Sequence, residues 1–379
     1  MNPTTCSLGR SALLLTLLLA VSASGQSWLE NADQVQPDQL PALITQAEQA
    51  MLTAIRDADY GRAEVIVEGA RGKGLPLSNY YLLKATIARG RQDMAQEEKL
   101  LLGALHHDPT LTDVYLRLAQ MRKADGLWLK ATELYRQSIE ANPHGLDAYI
   151  ELAAVLREHE RGRTAIDVLD QAGEIAPDDP HVQYALGEAH EYVGELEQAR
   201  THHRQAARAA DAVLRNRALL KVGDLSIALK DPMTAVAFYR TALAGGVSVC
   251  EELYARMAAG ADDAAWSLAK AAWEGFEAYL NGASQALERE EVYQVVAAAL
   301  AEEHQIAAFV DAIRPPEPMR APHASRRLQD ALLCEMLVNV LSYLDTGDET
   351  LVTAARNRRS DALAQQDAIA QQRRRQSTQ

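Results

Sequence analysis

The chain has 379 residues, 48% of them hydrophobic and 24% charged, proportions that place it with folded proteins rather than disordered or fibrous ones. Its net charge of -14 argues against a surface built for nucleic acid or anionic lipid, both of which need clustered cations. Ala and Leu dominate and aromatic residues make up only 5%, a helix-forming composition that predicts an all-α fold.

At the N-terminus Arg10 precedes the apolar run 11–21, and small residues fill 22–25. That is the layout of a secretory signal over residues 1–25, cut after Gly25, and it predicts a periplasmic or secreted protein. The run of 11 residues is too short to span a bilayer. Cys6 lies before the run, where a lipid anchor would need it after. Cys250 and Cys334 would remain, either as a disulfide or as two buried free thiols; nothing in the sequence brings them together, which favours the thiols.

Residues 26–43 are polar, contain Pro37 and Pro41, and read as a lead-in. From Ile44 a period takes over. Pro109, Pro143 and Pro177 fall 34 residues apart and Asp211 takes the next place. Ala131, Ala165 and Ala199 share one position in the period, and Tyr135, Leu169 and His203 another. A third position holds Ser138, Ala172 and Ala206. A fixed period in an α-rich chain implies a solenoid. Blocks start at Ile44, Ser78, Thr112, Leu146 and Pro180, with a sixth, displaced by two residues, near Asn216. Each reads as two amphipathic helices. In the third block Val114, Leu118 and Met121 share one face, and Ala131, Leu134, Tyr135 and Ser138 the next, with a turn at Asp125–Gly126.

These residues resemble the tetratricopeptide repeat (TPR). Tyr115, Leu118, Ala119, Ala131, Tyr135, Ser138 and Pro143 follow its pattern in order, as do Tyr149, Leu152, Ala153, Ala165, Leu169, Ala172 and Pro177. The fifth block departs from it, with Gln183 and His203 at the aromatic places. The resemblance implies a right-handed α-solenoid of about six TPR-like helix pairs over residues 44–249, followed by a smaller C-terminal helical region.

Beyond Cys250 the beat fades. Residues 250–314 read as a helical capping region. Asp262 and Asp263 would N-cap a helix running to Tyr279, with a second helix from Ala286 to about Ala301 and a third from Gln305 to Ile313. Pro315, Pro316, Pro318 and Pro322 mark a linker over 315–323. A helical hairpin over 324–370 would restart at Ser325, and 371–379 read as a polar tail.

No nucleotide-binding, hydrolase or metalloprotease motif is present. His106–His107 and His202–His203 are adjacent pairs that cannot chelate alone, so His107 and His203 read as solvated or capping residues of second helices. Asp178–Asp179 reads as an N-cap, Glu288–Glu291 as an exposed helix face, and Glu97–Glu98 as a further acidic pair. Trp266, Trp273, Phe276 and Tyr279 form a stripe that reads as core, with an aromatic ligand cage as the alternative. No cofactor, metal or membrane span is expected.

In the TPR family the first helix of each pair lines a concave groove, which implies which residues meet a partner. One inward position reads Leu82, Leu116, Ile150 and Tyr184; the next reads Thr86, Gln120, Ala154 and Glu188. One turn further come Arg89, Lys123, Arg157 and Glu191. An aliphatic stripe beside three cations suits a segment carrying acidic residues. Alternatively the aliphatics pack between first helices and the cations pair with acids such as Asp113 and Asp147. The resulting expectation is an exported, non-catalytic scaffold that binds a protein or peptide, in envelope assembly, secretion or surface-polymer export. Its alternatives are an enzyme or metal-binding protein with a site in the C-terminal region, and a homo-oligomeric element joined through the aromatic stripe.

Overall fold

A computed structural model describes residues 37–283 and 287–376. The expected signal segment, the lead-in as far as Gln36 and the last three residues of the expected tail lie outside the described residues. Those described form sixteen α-helices, two short 3-10 turns and no strand, the all-α solenoid expected of the period. They divide into two compact units between His159 and Glu160.

The first unit holds α1 (Leu40–Arg56), α2 (Tyr60–Gly72), α3 (Leu77–Gly90), α4 (Met94–His107), α5 (Thr112–Ala124), α6 (Trp128–Ala141) and α7 (Leu146–Glu158). Helices pack in pairs, α1 on α2, α3 on α4 and α5 on α6, and each pair packs on the next. Small residues sit where backbones come close: Ala47, Ala63, Ala70, Ala104 and Ala131 are fully buried. Inside each pair the turn reverses through one left-handed residue. These are Ala58, Gln92 and Gly126 here, and Glu160, Gly194 and Lys230 in the second unit, with φ between +56° and +83°. Their spacing carries the 34-residue beat in the backbone, with the final step two residues longer, as the sixth block predicts. Asp59 and Asp93 cap the second helices α2 and α4, each accepting a backbone N–H three residues on, at 2.9 and 3.0 Å.

The second unit opens with α8 (Gly162–Ile175), α9 (Pro180–Tyr192), α10 (Leu196–Ala206), α11 (Ala212–Ala228) and α12 (Pro232–Ala244). Asp179 caps α9 through bonds from the His181 and Val182 amides, as expected. His203 is not solvated: it is fully buried. It occupies the aromatic place of the repeat, and a Cβ at Gly187 would meet its ring at 2.6 Å. The period therefore decides its environment, not its polarity.

Four long helices follow: α13 (Glu251–Leu280), α14 (Arg289–Ala312), α15 (Arg320–Thr346) and α16 (Glu349–Gln376). Asp262 and Asp263 start nothing. The helix begins twelve residues earlier after Cys250 and runs through them, because the Ala- and Leu-rich sequence on either side has no breaker. The two helices expected between Ala286 and Ile313 are one, starting at Arg289, and Glu288 with Glu291 forms a capping box at its head. The proline segment is a tight corner: α15 already begins at Arg320 and carries Pro322 in its first turn, where a missing N–H is harmless. Helix α16 runs through Arg373 to Gln376, into the expected tail. Trp273 and Phe276 are core, with Phe276 edge-on to Trp273 and to Tyr343 at 5.7 Å. The center of the stripe is thus occupied within the chain. Cys250 and Cys334 are free thiols, as favoured, but not the buried pair expected: Cys250 is exposed and Cys334 half-buried.

Candidate partner-binding face

In the first unit the face is built by α3, α5 and α7. Leu82, Leu116 and Ile150 hold one position on these helices and all three are half-buried. The next position is more polar. Thr86 donates its hydroxyl to the Leu82 carbonyl at 3.0 Å, Gln120 is exposed and Ala154 half-buried.

The cations of the row are already engaged within the chain. Arg89 Nε donates to Glu97 Oε1 at 2.8 Å and Lys123 Nζ to Glu158 Oε1 at 2.9 Å. Arg157 is engaged within the chain as well. For Arg89 and Lys123 the acids are Glu97 and Glu158 rather than the expected Asp113 and Asp147. Both sit in the first turns of α5 and α7, where they complement the helix dipole, whereas Arg89, Lys123 and Arg157 lie in the last turns of α3, α5 and α7.

Glu97 is the residue that sequence reasoning undervalued. It is fully buried on α4, and Arg117 from α5 grips it a second time, Nε to Oε1 at 2.7 Å and a terminal nitrogen to Oε2 at 2.9 Å. Two successive first helices are thereby tied to one carboxylate on the second helix between them. Burial alone would push the Glu97 carboxyl up; the bonds from Arg117 and Arg89 outweigh it and hold the group below its ordinary value. The signal was legible, since Glu97, Leu101 and Ala104 fall on one helical stripe.

In the second unit Tyr184 on α9 is half-buried and edge-on to His203, with ring centroids 5.0 Å apart. Glu191, at the place of the cations in the first unit, accepts from Lys221 at 2.9 Å and lies 3.7 Å from His203 Nε2. The His203 imidazole, together with the Lys221 ammonium, holds the Glu191 carboxyl down to about 2. His190 and His202 stack at 5.0 Å, tied at either end to Glu195 and Gln183. Among the described residues no cluster of three His, Cys, Asp or Glu could hold a metal ion, and no helix is long and apolar enough to cross a membrane.

The tetratricopeptide repeat family model matches residues 122–189. No curated protein sequence matches the chain. Among solved structures, PilF of Pseudomonas aeruginosa is 14% identical, covering 52% of this chain and 89% of its own at a TM-score of 0.42. PilW, a type IV pilus biogenesis factor, is 15% identical over 56% of this chain and 97% of its own, at 0.44. YrrB, a TPR protein with an unusual peptide-binding site, is 16% identical over 44% and 84%, at 0.36. Likenesses of this size leave the assignment to the family match and to the chain's own geometry. Helix starts at Thr112, Leu146 and Pro180 and left-handed turn residues at Gly126, Glu160 and Gly194 keep one period through the matched region. Residues 122–189 therefore carry tetratricopeptide repeats, and the same 34-residue period continues in the helices on either side of them.

Proposed function

We propose that this protein is an exported TPR scaffold, without a catalytic step, that holds a protein partner on the first-helix face of α3, α5 and α7. The observation that carries the reading is the half-open aliphatic row Leu82, Leu116 and Ile150, one residue per pair, in a family whose first helices line the binding groove. Thr86 and Gln120 flank the row, and Tyr184 takes the corresponding place on α9. The pairing of Arg89 with Glu97 and of Lys123 with Glu158 changes the partner expected from the sequence. Arg89 and Lys123 are thus already held by partners inside the protein, and the partner is taken to engage the face chiefly through an aliphatic segment. The layout of residues 1–25 supports export, and with it a role in the envelope or outside the cell.

The test is capture from an envelope extract by the tagged, full-length protein, comparing wild type with Leu116→Glu/Ile150→Glu. Capture of a defined protein is expected to disappear in the variant while helical content and melting stay unchanged. It should also vary little between low and high salt. Capture that survives the double substitution would refute the face; capture lost steeply with salt would refute the apolar partner. Sequencing the N-terminus of the exported protein tests cleavage after Gly25.

A further inference from the structure

We propose that Glu303, Asp330 and Gln329 form a proton-dependent latch, holding α14 against α15 while the two carboxyls are protonated and letting the helices part when they ionise. The three side chains are 0%, 4% and 1% exposed. Both oxygens of Glu303, both amide atoms of Gln329 and Oδ2 of Asp330 are buried without a hydrogen-bond partner. They lie on core stripes: Glu303 follows Val296 and Ala299 and precedes Ile306 and Val310, while Asp330 lies one turn before Leu333. Helices α14 and α15 pack directly on each other. A carboxylate left ionised in such surroundings is far more expensive than a neutral carboxylic acid.

The charged neighbours do not remove the problem. From α13, Asp262 accepts from Arg326 Nε at 3.1 Å, and Arg326 gives a second bond to the Tyr254 hydroxyl at 2.9 Å. Arg326, on α15 itself, is the cation that eases ionisation of Asp330, while Asp262 and Asp311 oppose it. Asp311, on α14, holds Arg327. His323 lies against the Tyr254 ring. From α16, Arg358 pairs with Glu335 and Arg359 lies over the Trp273 ring. Burial, reinforced by Asp330, raises the Glu303 carboxyl to about 8. Burial, then Asp262, raises Asp330 to about 7. The Cys334 thiol nearby is raised to about 12, by burial and then by the same two acids. Ordered water could bridge the orphaned amide and carboxyls, yet it supplies no countercharge once they ionise.

The sign follows from linkage. Both folded-state values lie above the ordinary 4.5 and 3.8, so the folded state binds more protons over the intervening range. Its stability is full in acid and falls as pH rises towards 7 and 8, the reverse of a salt-bridged carboxylate. Within that window each group weakens the folding equilibrium by about tenfold per pH unit. Parting α14 from α15 would uncover Ile306, Phe309 and Leu333, apolar surface of the kind that binds other proteins.

Hydrogen exchange on the full-length protein at pH 6 and pH 9, corrected for intrinsic rates, tests the latch. In wild type the opening constant across residues 289–346 is expected to rise at least about 100-fold, without a matching rise in α5 and α6. Glu303→Gln/Asp330→Asn, isosteric with the protonated pair, should stay within about threefold over the same interval. Glu303→Met/Asp330→Asn, neutral and of similar volume, provides the same reading should the first variant fold poorly. Unchanged protection in wild type, or the same alkaline rise in a folded neutral variant, would overturn the proposal.

Discussion

Replacing Glu97 by Ala tests how the first unit is held together. The carboxylate is fully buried and takes three bonds of 2.7–2.9 Å from two arginines. Removing one partner of a buried charge pair costs about 3–5 kcal/mol when the other is stranded. Here the stranded arginines are not sealed in: the Arg89 and Arg117 side chains are 48% and 24% exposed and can rehydrate. The expected loss for Glu97→Ala is therefore near the lower end, about 3 kcal/mol, and for Glu97→Gln, which keeps the volume and an acceptor, about 2 kcal/mol. Hydrogen exchange over α3, α4 and α5 at pH 7 reads the loss locally, so the two units need not unfold together. The pH dependence adds a sign. The folded Glu97 carboxyl lies below the ordinary 4.5, so its contribution is complete above that value and is lost as pH falls through the folded value. The gap between wild type and Glu97→Gln should close in acid. A Glu97→Ala protein within about 0.5 kcal/mol of wild type at pH 7, or a gap unchanged at low pH, would refute the reasoning.

Two further outcomes are expected from the backbone. Gln92, Glu160 and Lys230 hold left-handed conformations at φ +62°, +61° and +59°. An L-residue there costs about 1–2 kcal/mol, partly offset by glycine's greater entropy loss, so each change to Gly should stabilise by about 0.5–1 kcal/mol. A triple Gly variant that melts no higher than wild type would contradict this. Gly223→Ala should destabilise by about 1–3 kcal/mol, because the new Cβ would lie 2.4 Å from the buried Tyr239 ring, whose hydroxyl is tied to Asp224 at 2.7 Å. Gly275→Ala, where nothing lies within 4 Å, is the matched control and should stabilise its helix; equal melting shifts for the two would sink the packing argument.

The repeat was readable wherever the period acted on apolar and small residues. Thr112, Leu146 and Pro180 begin helices where the blocks begin. The left-handed turn positions were hidden because four of the six are Ala58, Gln92, Glu160 and Lys230, which carry no turn signature by type; only their spacing betrays them. His203 shows the same conflict from the other side, its polarity suggesting solvent and its place in the period a buried aromatic site. In the C-terminal helices a local rule failed for another reason. An Asp pair looks like a start signal, but Asp262 is spaced to meet Arg326 on α15, a contact 64 residues away that no local pattern contains.

Buried carboxylates mark where sequence reasoning stops. Glu97, Glu303 and Asp330 all fall on the apolar stripes of their helices, so periodicity flags each of them as buried. It does not say which of them has a counterion. Glu97 finds two, because α3 and α5 each place an arginine within reach of the helix between them. Glu303 faces an acid instead, and Asp330 shares Arg326 with Asp262 and Tyr254. One residue type at one kind of position therefore yields opposite electrostatics. A paired carboxylate makes its neighbourhood weaker in acid, and an unpaired one makes its neighbourhood weaker in alkali. The deciding fact is what a helix distant in sequence presents to that position. The same fact separates the cations of the proposed partner-binding face from the free charges that their residue types suggest.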